Sequence, residues 1–502
     1  MSSFWIESTK NIEKKYDKLT KNLEADVCIV GCGITGAIVA YYLSKEGKNV
    51  VILEKDKICE KTTANSTAKI TSQHGLFYKY LLDSKGAGFA KKYYEANENA
   101  IKNIEYIVKN ENIDCDFEKQ NSFVFTEKKE NIEKIKDEVN SVKKIGGNAE
   151  FSSNCNLPFS IQAAIKFPNQ AQFNSRKFVL EIINKLNKKE KVNIFEKSKV
   201  VDIKKDENIY NIYTKEACVK AKYVVLACHY PIINIPGFYF FKMYQTRSHA
   251  IAIDADTNFF DGMYINCDNI TKSFRTAKAG DKRFLIIASE DYKTGSDINY
   301  ENINSNLEKI AKEMYSNCKV KYRWSAQDCI SLDKIPYIGE FSKFMPNVYV
   351  ATGYKKWGMT TADIAGNIIC DQIIGKKNEY SEIFKATRTE PIKNIKEVEN
   401  MVKQTTKSLV LEKFKIPKED LEEIKSGEGK IILINGKKVG IYIDENEKIH
   451  AINPICSHLG CELSFNRLEH TWDCPCHGSR FDVDGKSIET PSIENLNKIQ
   501  LD

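Results

Sequence analysis

The sequence predicts a chain in two parts: a large α/β domain with an α+β domain interleaved in it, then a small all-β domain at the C-terminus. Three observations predict this. A glycine-rich turn joins an apolar strand to an apolar helix near the N-terminus, runs with strand character recur through the middle, and period-two alternation leads into a final box dense in cysteine and histidine. At 502 residues the chain has length for two or three full cores. Its hydrophobic content of 42% and charged content of 28% are those of a globular protein. The net charge of +7 is spread thinly, without a basic face or an arginine run, so no nucleic-acid partner is expected.

The first element, "MSSFWIESTKNIEKKYDKLTKNLEAD", is polar and lysine-rich and lacks the apolar core of a secretory signal. From Val27 to Leu43 the chain then runs without a charge, too short and too glycine-rich for a membrane helix, so no membrane span is expected. The cysteines outside the C-terminal box show no paired spacing, which favours a reducing, cytoplasmic setting.

That uncharged run belongs to a Rossmann-type unit over residues 26–54. Val27 to Val30 reads as a buried strand, Gly31-Cys32-Gly33-Ile34-Thr35-Gly36 is G-x-G-x-x-G, helical spacing continues to Leu43, and Val50 to Leu53 is a second strand ending at Glu54. Gly31 allows the tight turn, Gly33 lets the backbone approach a pyrophosphate at the helix N-terminus, Gly36 permits close helix packing, and Glu54 can accept hydrogen bonds from a ribose diol. With Ile34 and Thr35 these residues form a dinucleotide cradle.

The position of this fingerprint and the motifs that follow resemble FAD-dependent oxidoreductases of the glycine and D-amino-acid oxidase superfamily. The resemblance spans roughly residues 22 to 380. In "KTTANSTAKITSQHG" it implies that Thr62, Thr63, Ser66, Thr67 and Ala68 run along the pyrophosphate toward the isoalloxazine. It implies an adenine-facing strand at Val200-Val201, with Val201 as the contact, and a strand-turn motif at Ala227 in "AKYVVLACHYP". Further on, Gly339 in "SLDKIPYIG" and Gly353, Gly358, Met359 and Thr360 in "NVYVATGYKKWGMTTAD" resemble the segments that close over FAD, where helix-terminal amides face the flavin's O2 edge.

Between these motifs lie the pieces of a substrate domain: a helical region from about Gly86 to Gly146, and strands near 244–254, 263–266, 273–278 and 283–289. Enzymes of the resembled family commonly clamp a substrate carboxylate with arginine. The candidates are Arg275 in "SFRTAK" and Arg247 in "QTRSHA", with His249 and His74 as possible neighbours of the flavin.

The organisation expected is an FAD-dependent oxidoreductase over 1–385, a charged helical linker over 386–425, and a small β domain over 426–502. The linker is punctuated by Pro391 and Pro417, and the strands beyond it by turns at Asn435-Gly436 and Asp444-Glu445. The closing box is "CSHLGCELSFNRLEHTWDCPCHGSRFD". Cys456 and His458 form a C-x-H pair, and Cys474 and His477 a C-x-x-H pair. Two thiolates and two imidazoles suit structural zinc as well as a [2Fe–2S] centre. The box as a whole resembles the Rieske type found in cytochrome bc complexes. That resemblance implies Cys456 and Cys474 on one iron and His458 and His477 on the other, with a potential of roughly −150 to +300 mV. It also implies a Cys461–Cys476 disulfide, although two free thiols would suit a cytoplasmic chain. The chain has Thr490-Pro491-Ser492 where the family has a Gly-Pro-Ala turn. Ser479 matches a serine that hydrogen-bonds the cluster, whereas Phe481 stands where the respiratory type has tyrosine.

No pair of histidines outside the box has the spacing of a mononuclear iron site, so a ring-hydroxylating oxygenase is not expected. The function implied is oxidation of a small amine or amino-acid-like donor by FAD, with electrons passed singly through the cluster to an external acceptor. The alternatives are a reductase with the current reversed, drawing on an external donor, or an electron-transfer or redox-sensing module that turns over no substrate of its own.

Overall fold

The glycines divide the uncharged run as expected, into a strand Leu23–Val30 and a helix Ile34–Lys45. The computed structural model describes residues 2–296, 298–388 and 421–501, so most of the predicted linker lies outside the described residues. Around that first unit runs an eight-stranded sheet. Its main path is Tyr337–Ser342, Met345–Thr352, Cys218–Leu226, Leu23–Val30, Val50–Leu53 and Val192–Phe195. The pairings from Met345–Thr352 onward are parallel, and the edge hairpin is antiparallel. Parallel strands covered on both faces must be apolar on both, and Val50–Leu53 and the second half of Leu23–Val30 are fully buried. Val30 pairs with Leu226, which brings Ala227 beside the glycine turn at the carboxyl ends of the strands, where open α/β sheets bind ligands.

The second sheet has nine strands. Its path is Lys319–Ser331, Met243–Asp254, Lys282–Lys293, Lys272–Ala279, Met263–Asn266, Glu118–Thr126, Ala163–Gln172 and Lys69–Ile70. The strand Glu118–Thr126 corrects the expectation of helix throughout 86–146, although helices Ala87–Asn110 and Ile132–Lys144 flank it. Its apolar run is only Phe123 to Phe125 between lysine-rich flanks. Pairing settles its state: it is antiparallel to Ala163–Gln172 on one side and parallel to Met263–Asn266 on the other.

The C-terminal domain holds a three-stranded sheet (Gly429–Ile434, Lys437–Ile443, Ile449–Ile452) and a four-stranded one (Ser464–Asn466, Thr471–Asp473, Arg480–Phe481, Ser487–Glu489). Asn435 and Gly436 turn the first hairpin with φ of 49° and 73°, the left-handed pair that matches strand twist. Among the described residues no helix is long and apolar enough to cross a membrane.

Candidate flavin and cluster sites

A long cavity opens at the carboxyl ends of the parallel strands. Gly31, Gly33, Ile34, Thr35, Glu54, Thr62, Thr63, Ser66, Ala227, Gly353, Gly358 and Met359 all line it. The helix begins at the turn without a side-chain cap, leaving its N–H groups for a ligand, except that Ile34 N–H donates to Thr63 Oγ1 at 3.1 Å. A Cβ on Gly36 would lie 2.0 Å from the Gly31 carbonyl, so only glycine lets this helix start so near the strand. Glu54 is buried and accepts from Cys32 N at 2.9 Å and Asp56 N at 3.0 Å, which leaves carboxylate lone pairs for a diol. Burial raises its pKa, against the pull of those amides. This donor set fits FAD.

Other expected contacts lie outside that cavity. Val201 is exposed, and its neighbour Val200 lines the wall instead; both precede the strand Asp202–Asp206, which corrects the expected strand at Val200-Val201. Gly36 lies beneath the turn, Ala68 gives its carbonyl to Arg275, Gly339 backs onto Gln372, and Thr360 faces the Thr71 carbonyl.

Thr67 lines a second cavity of about 110 Å³, which adjoins the first through Ser66, Asp328 and Lys356. Its walls come from the second sheet and carry mostly small residues. Lys69 is buried there and donates to the Tyr264 carbonyl at 2.7 Å and to Ser273 Oγ at 2.6 Å. Burial, reinforced by Arg275, lowers its pKa to about 7, while burial raises that of Asp328.

None of the three candidate catalytic side chains reaches this space. Arg275 is spent on the carbonyls of Thr67, Ala68, Phe173 and Thr276 at 2.7–3.1 Å and stacks over Trp5. Arg247 pairs with Glu469 of the C-terminal domain at 2.6 Å. His249 stacks on Tyr292, whose hydroxyl is 3.1 Å from Nε2. An arginine in a sheet reads the same in sequence whether it faces a ligand or a carbonyl. His74 is a core histidine between Tyr93 Oη and the Thr71 carbonyl.

The four residues expected to ligate the cluster lie together. The Cys456 and Cys474 thiols are buried neighbours, and the ring centroids of His458 and His477 lie 5.0 Å apart. Nδ1 of both histidines is buried without a hydrogen-bond partner, as an iron-ligating nitrogen requires. Burial lowers the imidazole pKa values to about 4 and about 3, which keeps both neutral and free to ligate. Two thiols and two orphaned imidazole nitrogens fit a Rieske [2Fe–2S] cluster. A Cys461–Cys476 disulfide ties the two loops together. Ser492 N–H donates to Ser479 Oγ at 3.0 Å, and Ser492 Oγ meets Ser457 Oγ at 2.5 Å, so the segment around Pro491 lies over both loops.

That same segment joins the two sites. Ile488, Glu489, Thr490, Ser492 and Ile493 line the flavin cavity, with Lys55 donating to the Ile488 carbonyl at 2.8 Å and Lys199 to that of Ile493. Gln245 Nε2 donates to the carbonyls of the ligand His477 at 2.6 Å and Thr490 at 3.0 Å, and Gln327 Nε2 to that of Gly478 at 2.7 Å. Asn234 Oδ1 lies 2.7 Å from the outer nitrogen of His458, and the Phe240 ring packs edge-on to His477. A Cβ on Gly478 would come within 2.7 Å of Gln245, and one on Gly295 within 2.5 Å of Pro475. Sequence reasoning missed Lys69, Asp328, Asn234, Phe240, Gln245 and Gln327. Lys69 had a signal, as a lone charge in an otherwise neutral, hydroxyl-rich segment.

Comparison with known proteins agrees with this geometry. Residues 26–372 match the model of the FAD dependent oxidoreductase family, and residues 415–500 that of the Rieske [2Fe-2S] domain. The putative Rieske 2Fe-2S iron-sulfur protein YhfW of Bacillus subtilis is 33% identical over 500 residues, covering 100% of this chain and 98% of its own. The cytochrome b6-f complex iron-sulfur subunit 1 of a Nostoc species is 37% identical over 65 residues, 12% of this chain and 36% of its own. Glycine oxidase from Geobacillus kaustophilus shares the fold with a TM-score of 0.63 at 17% identity, over 74% of this chain and 100% of its own.

Proposed function

The chain belongs to the FAD-dependent oxidoreductase family and carries a Rieske [2Fe–2S] domain, and from that premise we propose that it oxidises a small amine or amino acid and passes the electrons singly through the cluster to an external acceptor. FAD held in the cavity of Gly33 and Glu54 would supply a two-electron acceptor, and a cluster held by Cys456, His458, Cys474 and His477 would supply one-electron transfer. The observation that carries the reading is the shared wall: the segment from Ile488 to Ile493 lines the flavin cavity, and its Ser492 holds the cluster loops. No mobile carrier is needed between the two centres. In the adjoining cavity Lys69 and Asp328 bring an amine and a carboxyl group to one space that is otherwise lined mostly by small residues, which suits a small donor carrying both an amine and a carboxyl group. Lys69 takes the carboxylate-holding role that Arg275 and Arg247 cannot fill.

Anaerobic addition of a panel of amines and amino acids to the holoenzyme tests this. A true donor bleaches the flavin and then gives the electron paramagnetic resonance signal of the reduced cluster. Lys69→Met should raise the donor's apparent Kd at least tenfold. Flavin reduction only through an added electron carrier would overturn the proposed direction and favour the reductase reading.

A further inference from the structure

Both cysteine sulfurs of the cluster have donors from their own loops: Cys456 the N–H groups of His458 and Leu459 and the Ser479 hydroxyl, Cys474 the N–H groups of Cys476 and His477, with the Lys293 ammonium acting on it as well. Phe481, buried in the same core, brings no hydroxyl. The flavin domain supplies a different group at this place. Tyr230 is 1% exposed, yet its hydroxyl has no hydrogen-bond partner among the described residues. Its ring meets that of the ligand His458 edge-on at 6.5 Å. Its chain neighbours Cys228 and His229 line the flavin cavity.

Leaving a hydroxyl buried and unpaired is destabilising, so a tyrosine in this position points to an acceptor there. We propose that Tyr230, a residue of the flavin domain, donates its hydroxyl hydrogen bond across the seam to a sulfur of the cluster that His458 helps to hold, and so raises the cluster's reduction potential. Reduction adds negative charge to the sulfurs, so a donor stabilises the reduced state more than the oxidised one. Tyr230 is thus a positioning and tuning residue that makes the cluster's potential depend on the docked flavin domain, whichever way electrons run.

The test is Tyr230→Phe in the full-length holoenzyme, with iron and FAD content matched to wild type. The cluster's reduction equilibrium should shift about fivefold toward the oxidised form, ~40 mV at about 59 mV per tenfold. In D2O, pulsed electron paramagnetic resonance of the reduced cluster should lose one coupled exchangeable deuteron, and the flavin potential should stay put. Should the variant load iron poorly, 3-fluorotyrosine incorporated at position 230 keeps the shape and donates more strongly, and the potential should rise. An unchanged cluster potential in both proteins, a persisting deuteron coupling, or a shift of the flavin potential alone would each overturn the proposal.

Discussion

The seam between the domains has two ends of opposite chemistry. At one end lies a buried ion-pair network: Arg247 with Glu469 at 2.6 Å, Arg480 with Glu469, Arg480 with Asp473 at 2.9 Å, and Glu489 within 4.0 Å of both arginines. At the other, beside the cluster, the hydrogen bonds and the ring contact come from neutral groups, Gln245, Gln327, Asn234 and Phe240 against His477, Gly478 and His458, with Lys293 as the one charge that acts on His477 and Cys474 among those described. Gln327 joins the ends, accepting from Arg247 Nη1 at 3.2 Å and donating to Gln245 at 2.7 Å. The difference teaches where charge can be afforded. A unit charge about 10 Å from the cluster, at an effective dielectric of about 20, is worth ~1.7 kcal/mol. Such a charge would move the potential as much as a hydrogen bond does. Ion pairs fix the orientation of the seam, while amides supply the hydrogen bonds to the loop of His477.

The largest effect should follow from breaking the neutral end at a ligand. His477→Ala should remove the cluster signal and the bound iron while leaving the flavin absorbance unchanged; metal analysis and visible spectra read both. Loss of the flavin as well would mean that the shared wall collapses without the cluster. Next comes the charged end. Glu469→Gln removes the nearer counter-charge of buried Arg247, leaving Glu489 at 4.0 Å, and should cost up to about 3–5 kcal/mol, read as a lowered Tm or as proteolytic release of the C-terminal domain.

Acid should act on the same end. Burial pushes the Glu469 pKa up, but Arg247 and Arg480 outweigh it and hold the carboxyl well below the usual range. Burial lowers His249, 3.9 Å from Glu469, to about 4. In both cases the unfolded chain binds more protons as pH falls. Stability is therefore lost first between about pH 6.5 and 4 through His249, then below about 4.5 through Glu469. Glu469→Gln should flatten the lower limb. A smaller loss, about 1–3 kcal/mol, is expected for Gln245→Leu, which strips a donor from the His477 carbonyl without stranding a charge. A larger loss than for Glu469→Gln would reverse the ranking of the two ends.

The seam is also where the sequence was least legible. The Rossmann turn and the cluster ligands lie in short runs whose spacing is itself the chemistry, so Gly33, Glu54, Cys456 and His477 could be assigned by position. The seam is built from residues far apart in the chain. Gln245, Arg247 and Gln327 are polar side chains in strands that turn toward a domain more than a hundred residues away, and nothing local marks them. Arg247 misled for this reason: a buried arginine needs an anion, and the sequence could not say that Glu469, rather than a substrate, would be that anion. The strand at Glu118–Thr126 failed in the same way, since its partners on either side are distant in sequence.

The smallest effect concerns Phe481, fully buried against the cluster loops in the strand that pairs with Trp472. Phe481→Tyr adds a hydroxyl on the C-terminal domain's own side of the cluster. A hydrogen bond about 1 kcal/mol stronger to the reduced state amounts to ~40 mV for one electron, so the potential should rise by tens of millivolts, measured by protein-film voltammetry. An unchanged or lowered potential would show that the side chain at 481 does not reach the sulfurs. The same substitution made in the Tyr230→Phe background separates two arrangements. Additive shifts mean that the hydroxyls at 230 and 481 reach different sulfurs, because independent sites add. A larger rise in the Tyr230→Phe background means that they compete for one, and that the flavin domain already supplies the bond that Phe481 cannot.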